Sequence, residues 1–113
     1  MDLLAISEER GVSVFRPTVR RLDASVAPAF KQAAVKAIEA GATRVVLDLG
    51  ELDFLDSSGL GAMVSILKAL GHRGSIAVCN ARGAVLSLFQ LTRMDKVFTI
   101  AASRDEAIAR LGG

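Results

Sequence analysis

Residues 44–70 read RVVLDLGELDFLDSSGLGAMVSILKAL, and this phrase decides the fold. Its first six residues, 44–49, are nearly all apolar and rich in valine. A short run of that kind fits a strand buried on both faces, as in a parallel sheet. A loop over 50–55 follows. Leu60, Met63, Val64, Leu67 and Leu70 then recur at i, i+3, i+4 spacing, which is one face of a helix. Gly71 and Gly74 bracket the end of that helix. Strand, loop and helix in this order are the first part of a parallel crossover unit, and the flanking segments extend it.

Downstream, SIAVCN (75–80) reads as the next buried strand, with Asn80 placed to cap a helix carrying Val85, Leu88 and Phe89. VFTIA (97–101) reads as a further strand. Ser103 and Glu106 then spell a capping box for a last helix with Ala107, Ile108 and Leu111. Upstream, LLAISEERGVSVFRP predicts a hairpin: a strand near 3–7, a turn through Glu9–Gly11, and a strand near 12–16 suited to cover on both faces. Pro17 ends it. Asp23 or Ser25 can cap a helix running to about Ala40, with Pro28 tolerated near its start. Ala27, Phe30, Ala34, Ala37 and Ile38 are its inward stripe, and Gly41 is its stop. The expected architecture is one α/β domain over 1–113. Its mixed sheet has four to five strands, with an antiparallel start and right-handed parallel crossovers, and about four helices cover it.

Composition agrees with one compact core. The chain has 113 residues, 51% of them hydrophobic, with no Trp or Tyr and five Phe. The core must therefore be mainly Leu, Val, Ile and Ala. No run approaches the ~20 apolar residues of a membrane span, so no membrane insertion is expected. MDLLAISEERG lacks a basic leading region and reads as no signal peptide. The single cysteine, Cys79, cannot form an intramolecular disulfide. Together these features predict a cytoplasmic protein. Fourteen basic residues are interspersed with twelve acidic ones, for a net charge of +2. There is no long basic run, few aromatic platforms and no zinc-finger spacing, so direct nucleic-acid binding is not expected.

The phrase DSSGLG (56–61) carries the chemistry. It is not a phosphate-binding loop, which needs G-x-x-x-x-G-K-[ST]. Only Gly59 and Gly61 fit a dinucleotide fingerprint; Val64 stands where the third glycine belongs. Neither Ser57 nor Ser58 has the glycine flanks of a hydrolase elbow. His72, the only histidine, follows the far end of the same helix, roughly 20 Å away at ~1.5 Å per residue. It is read as an exposed residue at the helix C-terminus, and Cys79 as a small buried hydrophobe. No catalytic set, metal site or cofactor is predicted, so the protein is read as a non-enzyme. Asp56 or Ser57 is instead a good N-cap. Ser58 then lies in a first turn whose amides and dipole would welcome a phosphate. Small residues there serve either packing against a neighbouring strand or clearance for a partner.

LDLGELDFLDSSGLG (47–61) resembles the hallmark of the STAS domain family, specifically the bacterial anti-sigma factor antagonists: a buried strand ending in an acid, a short loop, then a D-S-S/T-G-L-G helix start. RLDASVAPAF (21–30) is similar to the family's L-D-x-x-x-A segment, and VFTIAASRDEAIARL (97–111) to its last strand and helix. The resemblance spans nearly the whole chain. It implies an antagonist that binds an anti-sigma factor, itself a serine kinase, and so frees a sigma factor for transcription. Phosphorylation of one serine ends the complex, and a serine phosphatase restores it. The implied acceptor is Ser58, with Ser57 as second choice. The implied partner face comprises Asp23, Asp56, Ser57, Ser58, Gly59, Leu60 and Gly61. Asp23 matches a family acid that lies near the phosphorylation site and contributes to binding.

Arg20 and Arg21 depart from the family, which has glycine and an acid before Asp23. They read either as a solvated loop or as an alteration of the partner face, through pairing with a phosphate or acidic groups. The same family supplies the alternative: a scaffold of a signalling complex, or a regulatory partner of a lipid-transport ATPase, with no phosphorylation cycle. A nucleotide-binding domain is a third, weaker alternative. Weak homodimerisation is left open.

Overall fold

The computed structural model describes residues 3–113; residues 1 and 2 of the domain expected over 1–113 lie outside that description. β1 (Leu4–Glu9) and β2 (Val12–Pro17) form the predicted hairpin, with Glu9 opposite Val12. The two-residue turn between them has positive φ at both Arg10 (+53°) and Gly11 (+78°). That is the primed turn whose twist matches antiparallel strands. β4 (Arg44–Asp48), β6 (Ser75–Cys79) and β7 (Thr99–Ala101) complete a five-stranded sheet in the order β1-β2-β4-β6-β7. Every pair after the hairpin is parallel. The sheet is thus mixed, as predicted.

Strand alternation divides the core in two. Phe15, Val45, Leu47 and Val78 belong to the larger cluster, shared with Phe30 and Ala34 of α1 (Ala27–Glu39), Met63 and Ile66 of α2 (Ser57–Leu70), and Val85 and Phe89 of α3 (Gly83–Leu91). Val12, Val14, Val46, Ala77 and Cys79 face the other way, against Ala107 and Ile108 of α4 (Arg104–Arg110). Helices on both faces explain why the central strands lack a polar side. Phe89 and Phe98 close one end of the larger cluster edge to face, with ring centroids 5.8 Å apart.

Several details differ from the sequence expectation. α1 begins after Val26, which has no side-chain cap, because Asp23 spends its carboxylate on the Ser25 amide (3.0 Å) and hydroxyl (2.6 Å). Asn80 does not cap α3, which starts after Arg82. It instead turns at φ +60° and donates Nδ2 to Asp48 Oδ1 at 3.0 Å. Val97 and Phe98 are not strand; their amides close a short 3-10 turn onto the Met94 carbonyl. Finally, two-residue strands β3 (Arg21–Leu22) and β5 (Phe54–Leu55) form a separate parallel pair. The capping box does form, with the Glu106 amide donating to Ser103 Oγ at 3.1 Å.

Candidate functional site

The β3–β5 pair positions everything around the serines. Leu22 is level with Leu55, and both are buried. Alternation therefore puts Arg21, Asp23, Phe54 and Asp56 towards the outside of this ribbon. Beyond Leu55 the chain turns into α2. The Asp56 amide donates to the Leu22 carbonyl (3.4 Å), and Asp56 Oδ1 caps the helix by accepting from the Gly59 amide (2.9 Å). A Cβ on Gly59 would stand 2.4 Å from that same Leu22 oxygen and 2.6 Å from Leu55 Cδ1. The first turn of α2 thus rests on the Leu22 carbonyl, and Arg21 and Asp23 flank that contact in the chain.

Ser57 and Ser58 are exposed in this turn, and Gly61 is exposed with open space where a Cβ would be. Gly59 and Leu60 face the core instead; Leu60 is 7% exposed. For these two the partner-face expectation is corrected. Gly59 is small because a strand carbonyl lies against it, and Leu60 is the first residue of the inward stripe.

The arginines are exposed but engaged. Arg20 Nη1 lies 2.9 Å from Asp53 Oδ2, and Arg82 reaches the other oxygen of Asp53 at 3.6 Å. Arg82 also donates to the Gly50 carbonyl, and Arg16 pairs with Glu51. The 50–53 loop is therefore held by three arginines. Arg21 lies over the Phe54 ring, 4.0 Å from its centroid, and touches Asp23 only at 3.8 Å. The Ser25 hydroxyl, then its amide, hold the Asp23 carboxyl below its ordinary pKa, with Arg21 a lesser contributor.

A second polar cluster gathers around the acid that ends the 44–49 strand, whose partners the sequence did not reveal. Asp48, 5% exposed, ends β4 and takes four donors: Arg104 Nη2 (2.8 Å) and Nε (3.0 Å), Asn80 Nδ2 (3.0 Å) and the Gly50 amide (3.0 Å). Arg104 also stands 3.5 Å from Glu9. Burial pushes the Asp48 carboxyl up, but hydrogen bonds from Asn80, Arg104 and Gly50 more than offset it, leaving the pKa lowered. One signal was available: an acid closing an apolar strand must find partners.

His72 lies in an exposed 3-10 turn (Gly71–Arg73) at the opposite end of the 14-residue α2. Cys79 is fully buried, and burial, then Asp48, push its thiol up to about 12. It is protonated at neutral pH and inert. We predict that iodoacetamide at pH 8 spares Cys79 in the native chain and labels it fully in guanidinium; rapid native labelling, read by mass spectrometry, would contradict this burial. Among the described residues no helix is long and apolar enough to cross a membrane.

The comparisons converge on this architecture. A family model for the STAS domain matches residues 4–107. BtrV of Bordetella bronchiseptica, named as an anti-sigma factor antagonist, is 34% identical over 73 residues, 64% of this chain and 63% of its own. An anti-sigma F factor antagonist of Paenibacillus polymyxa is 32% identical over 68 residues, 59% of this chain and 58% of its own. The chain thus spans under two thirds of the length of these two relatives. Among solved structures, an anti-sigma factor antagonist from Mycobacterium paratuberculosis superposes with a TM-score of 0.88 at 28% identity, covering 97% of this chain and 93% of that one. With the match running from β1 into α4 and taking in the serine turn, the chain belongs to the STAS domain family.

Proposed function

We propose that this domain is an anti-sigma factor antagonist whose binding is switched by phosphorylation of Ser58. The observation that carries the reading is the pair of exposed hydroxyls, Ser57 and Ser58, in a helical turn capped by Asp56, whose amide donates to the carbonyl of Leu22, the residue before Asp23. No base from His72 approaches them, so Ser58 is a substrate rather than a nucleophile. The unphosphorylated face, comprising Asp23, Asp56, Ser57, Ser58 and Gly61 with Arg20 and Arg21 at its margin, docks on a cytoplasmic anti-sigma serine kinase. The kinase transfers the γ-phosphoryl of ATP to Ser58 Oγ; the hydroxyl proton passes to the kinase and ADP leaves. A serine phosphatase hydrolyses the ester and restores docking.

The physics favours a switch that acts at the surface. A phosphate adds about −1.5 to −2 charges. At an exposed first turn this leaves the core untouched, yet it sets bulk and like charge beside Asp23 and Asp56. Ser58→Asp is expected to keep the circular dichroism and melting profile of the parent and to bind an anti-sigma kinase about 100-fold more weakly, since like-charge contacts cost several kcal/mol. Incubation with candidate anti-sigma kinases and ATP, followed by phosphosite mapping, tests the acceptor. Phosphate on Ser58 with loss of the complex supports the switch. A stable complex with a transporter ATPase and no phosphate would support the scaffold alternative.

A further inference from the structure

Arg21 is the least committed of the four arginines that border the 50–54 segment. Arg20 holds Asp53 at 2.9 Å, Arg82 is shared between Asp53 and the Gly50 carbonyl, and Arg16 is paired with Glu51. Arg21 has one loose contact, 3.8 Å to Asp23, and a 62% exposed side chain. Asp23 scarcely needs it, because two Ser25 donors already serve its carboxylate. The Phe54 ring fixes the guanidinium from below, an arrangement that orders an arginine without consuming its donors. The backbone next to Arg21 abuts the serine turn. The following residue, Leu22, offers the carbonyl that touches the Asp56 amide and abuts Gly59, the residue after Ser58.

We propose that Arg21 is an internal receptor for a phosphate monoester on Ser58: on modification its guanidinium leaves Asp23 and takes the phosphate, while Phe54 keeps it seated. This rests on the reading of Ser58 as the acceptor. A dianion outcompetes a carboxylate that keeps its other partners, and the planar fork of arginine suits two phosphate oxygens. The exchange has a second consequence: Asp23 is uncovered at the moment Ser58 becomes charged. Modification then changes two points of the partner face. The charged groups bearing on such a phosphate are Arg21 and Arg20 on one side and Asp23, Asp53 and Asp56 on the other.

The test installs phosphoserine at position 58 of the full chain during synthesis, so that no kinase is needed. Phosphorus NMR then follows the second ionisation of the phosphate. Removing the cation in Arg21→Gln is expected to raise that pKa by about half a unit, the shift that an exposed pair of this kind supports. Arg21→Lys should raise it by less. Arg20→Gln, whose guanidinium belongs to Asp53, should raise it by clearly less than Arg21→Gln does, with circular dichroism confirming the fold of each variant. An unmoved pKa in Arg21→Gln, or an equal rise in Arg20→Gln, overturns the proposal. Binding of the same phosphorylated chains to an anti-sigma kinase is measured separately. Retained binding with the expected titration would sink the switch and spare the Arg21 contact; release without an Arg21 effect would do the reverse.

Discussion

Gly59→Val should destabilise the domain by about 2–3 kcal/mol, a large share of the 5–15 kcal/mol typical of such folds. The added Cβ alone would fall 2.4 Å from the Leu22 carbonyl oxygen, and the Leu55 methyl blocks the other side at 2.6 Å. Neither can yield cheaply. Leu22 and Leu55 are paired in the β3–β5 ribbon, and the same carbonyl accepts from the Asp56 amide. The first turn of α2 must therefore lift off the strand, carrying Ser57 and Ser58 with it. Gly61 is the control. It lies two residues on in the same helix, is exposed, and has nothing within 4 Å of its missing Cβ. Gly61→Ala should stabilise by about 0.5–1 kcal/mol, the ordinary helical preference for alanine. Urea denaturation followed by circular dichroism compares the two. A neutral Gly59→Val would mean that the helix does not rest on Leu22. A destabilising Gly61→Ala would mean that this face is not open.

These two glycines also show what the sequence could and could not disclose. Both sit in one phrase, DSSGLG, where local sequence alone favours packing and the family resemblance favours clearance for both. The structure assigns packing to Gly59 and leaves the space at Gly61 open, because that distinction depends on where residue 22 lies. Long periodic segments were legible: the 44–49 strand, the α2 stripe, the hairpin and the Ser103 cap all follow from local pattern. The β3–β5 pair was not, since two-residue strands carry no period. The Asp23 and Asn80 caps were misassigned for a related reason. Short polar side chains satisfy whichever backbone or side-chain partner is nearest: for Asp23 that is Ser25, two residues along the chain, and for Asn80 it is Asp48 on the neighbouring strand. Arg21 was visible as a departure from the family pattern, but its seat on Phe54 spans 33 positions of sequence and belongs to the fold.

Arg104→Ala should cost about 2 kcal/mol at pH 7 and markedly less near pH 3. The figure is set below the usual range for a broken buried pair because the Arg104 side chain is 33% exposed. What remains behind is the burden: a 5% exposed Asp48 carboxylate with only the neutral donors of Asn80 and Gly50. The pH dependence follows from the direction of the Asp48 shift. Its folded pKa lies below the ordinary 3.8. The stability it contributes is therefore complete above that value and is lost as pH falls through the lower, folded pKa. In wild type the curve should hold from neutrality to about pH 4 and then drop. Without Arg104, burial has fewer opponents, the carboxyl titrates higher, and protonation relieves the buried charge earlier. The two stability curves should thus converge on acidification. Denaturation midpoints between pH 7 and pH 2.5 provide the reading. A gap that stays constant across that range would show that Arg104 supports α4 by packing its stem, and that its charge on Asp48 contributes nothing to holding the C-terminal helix on the sheet.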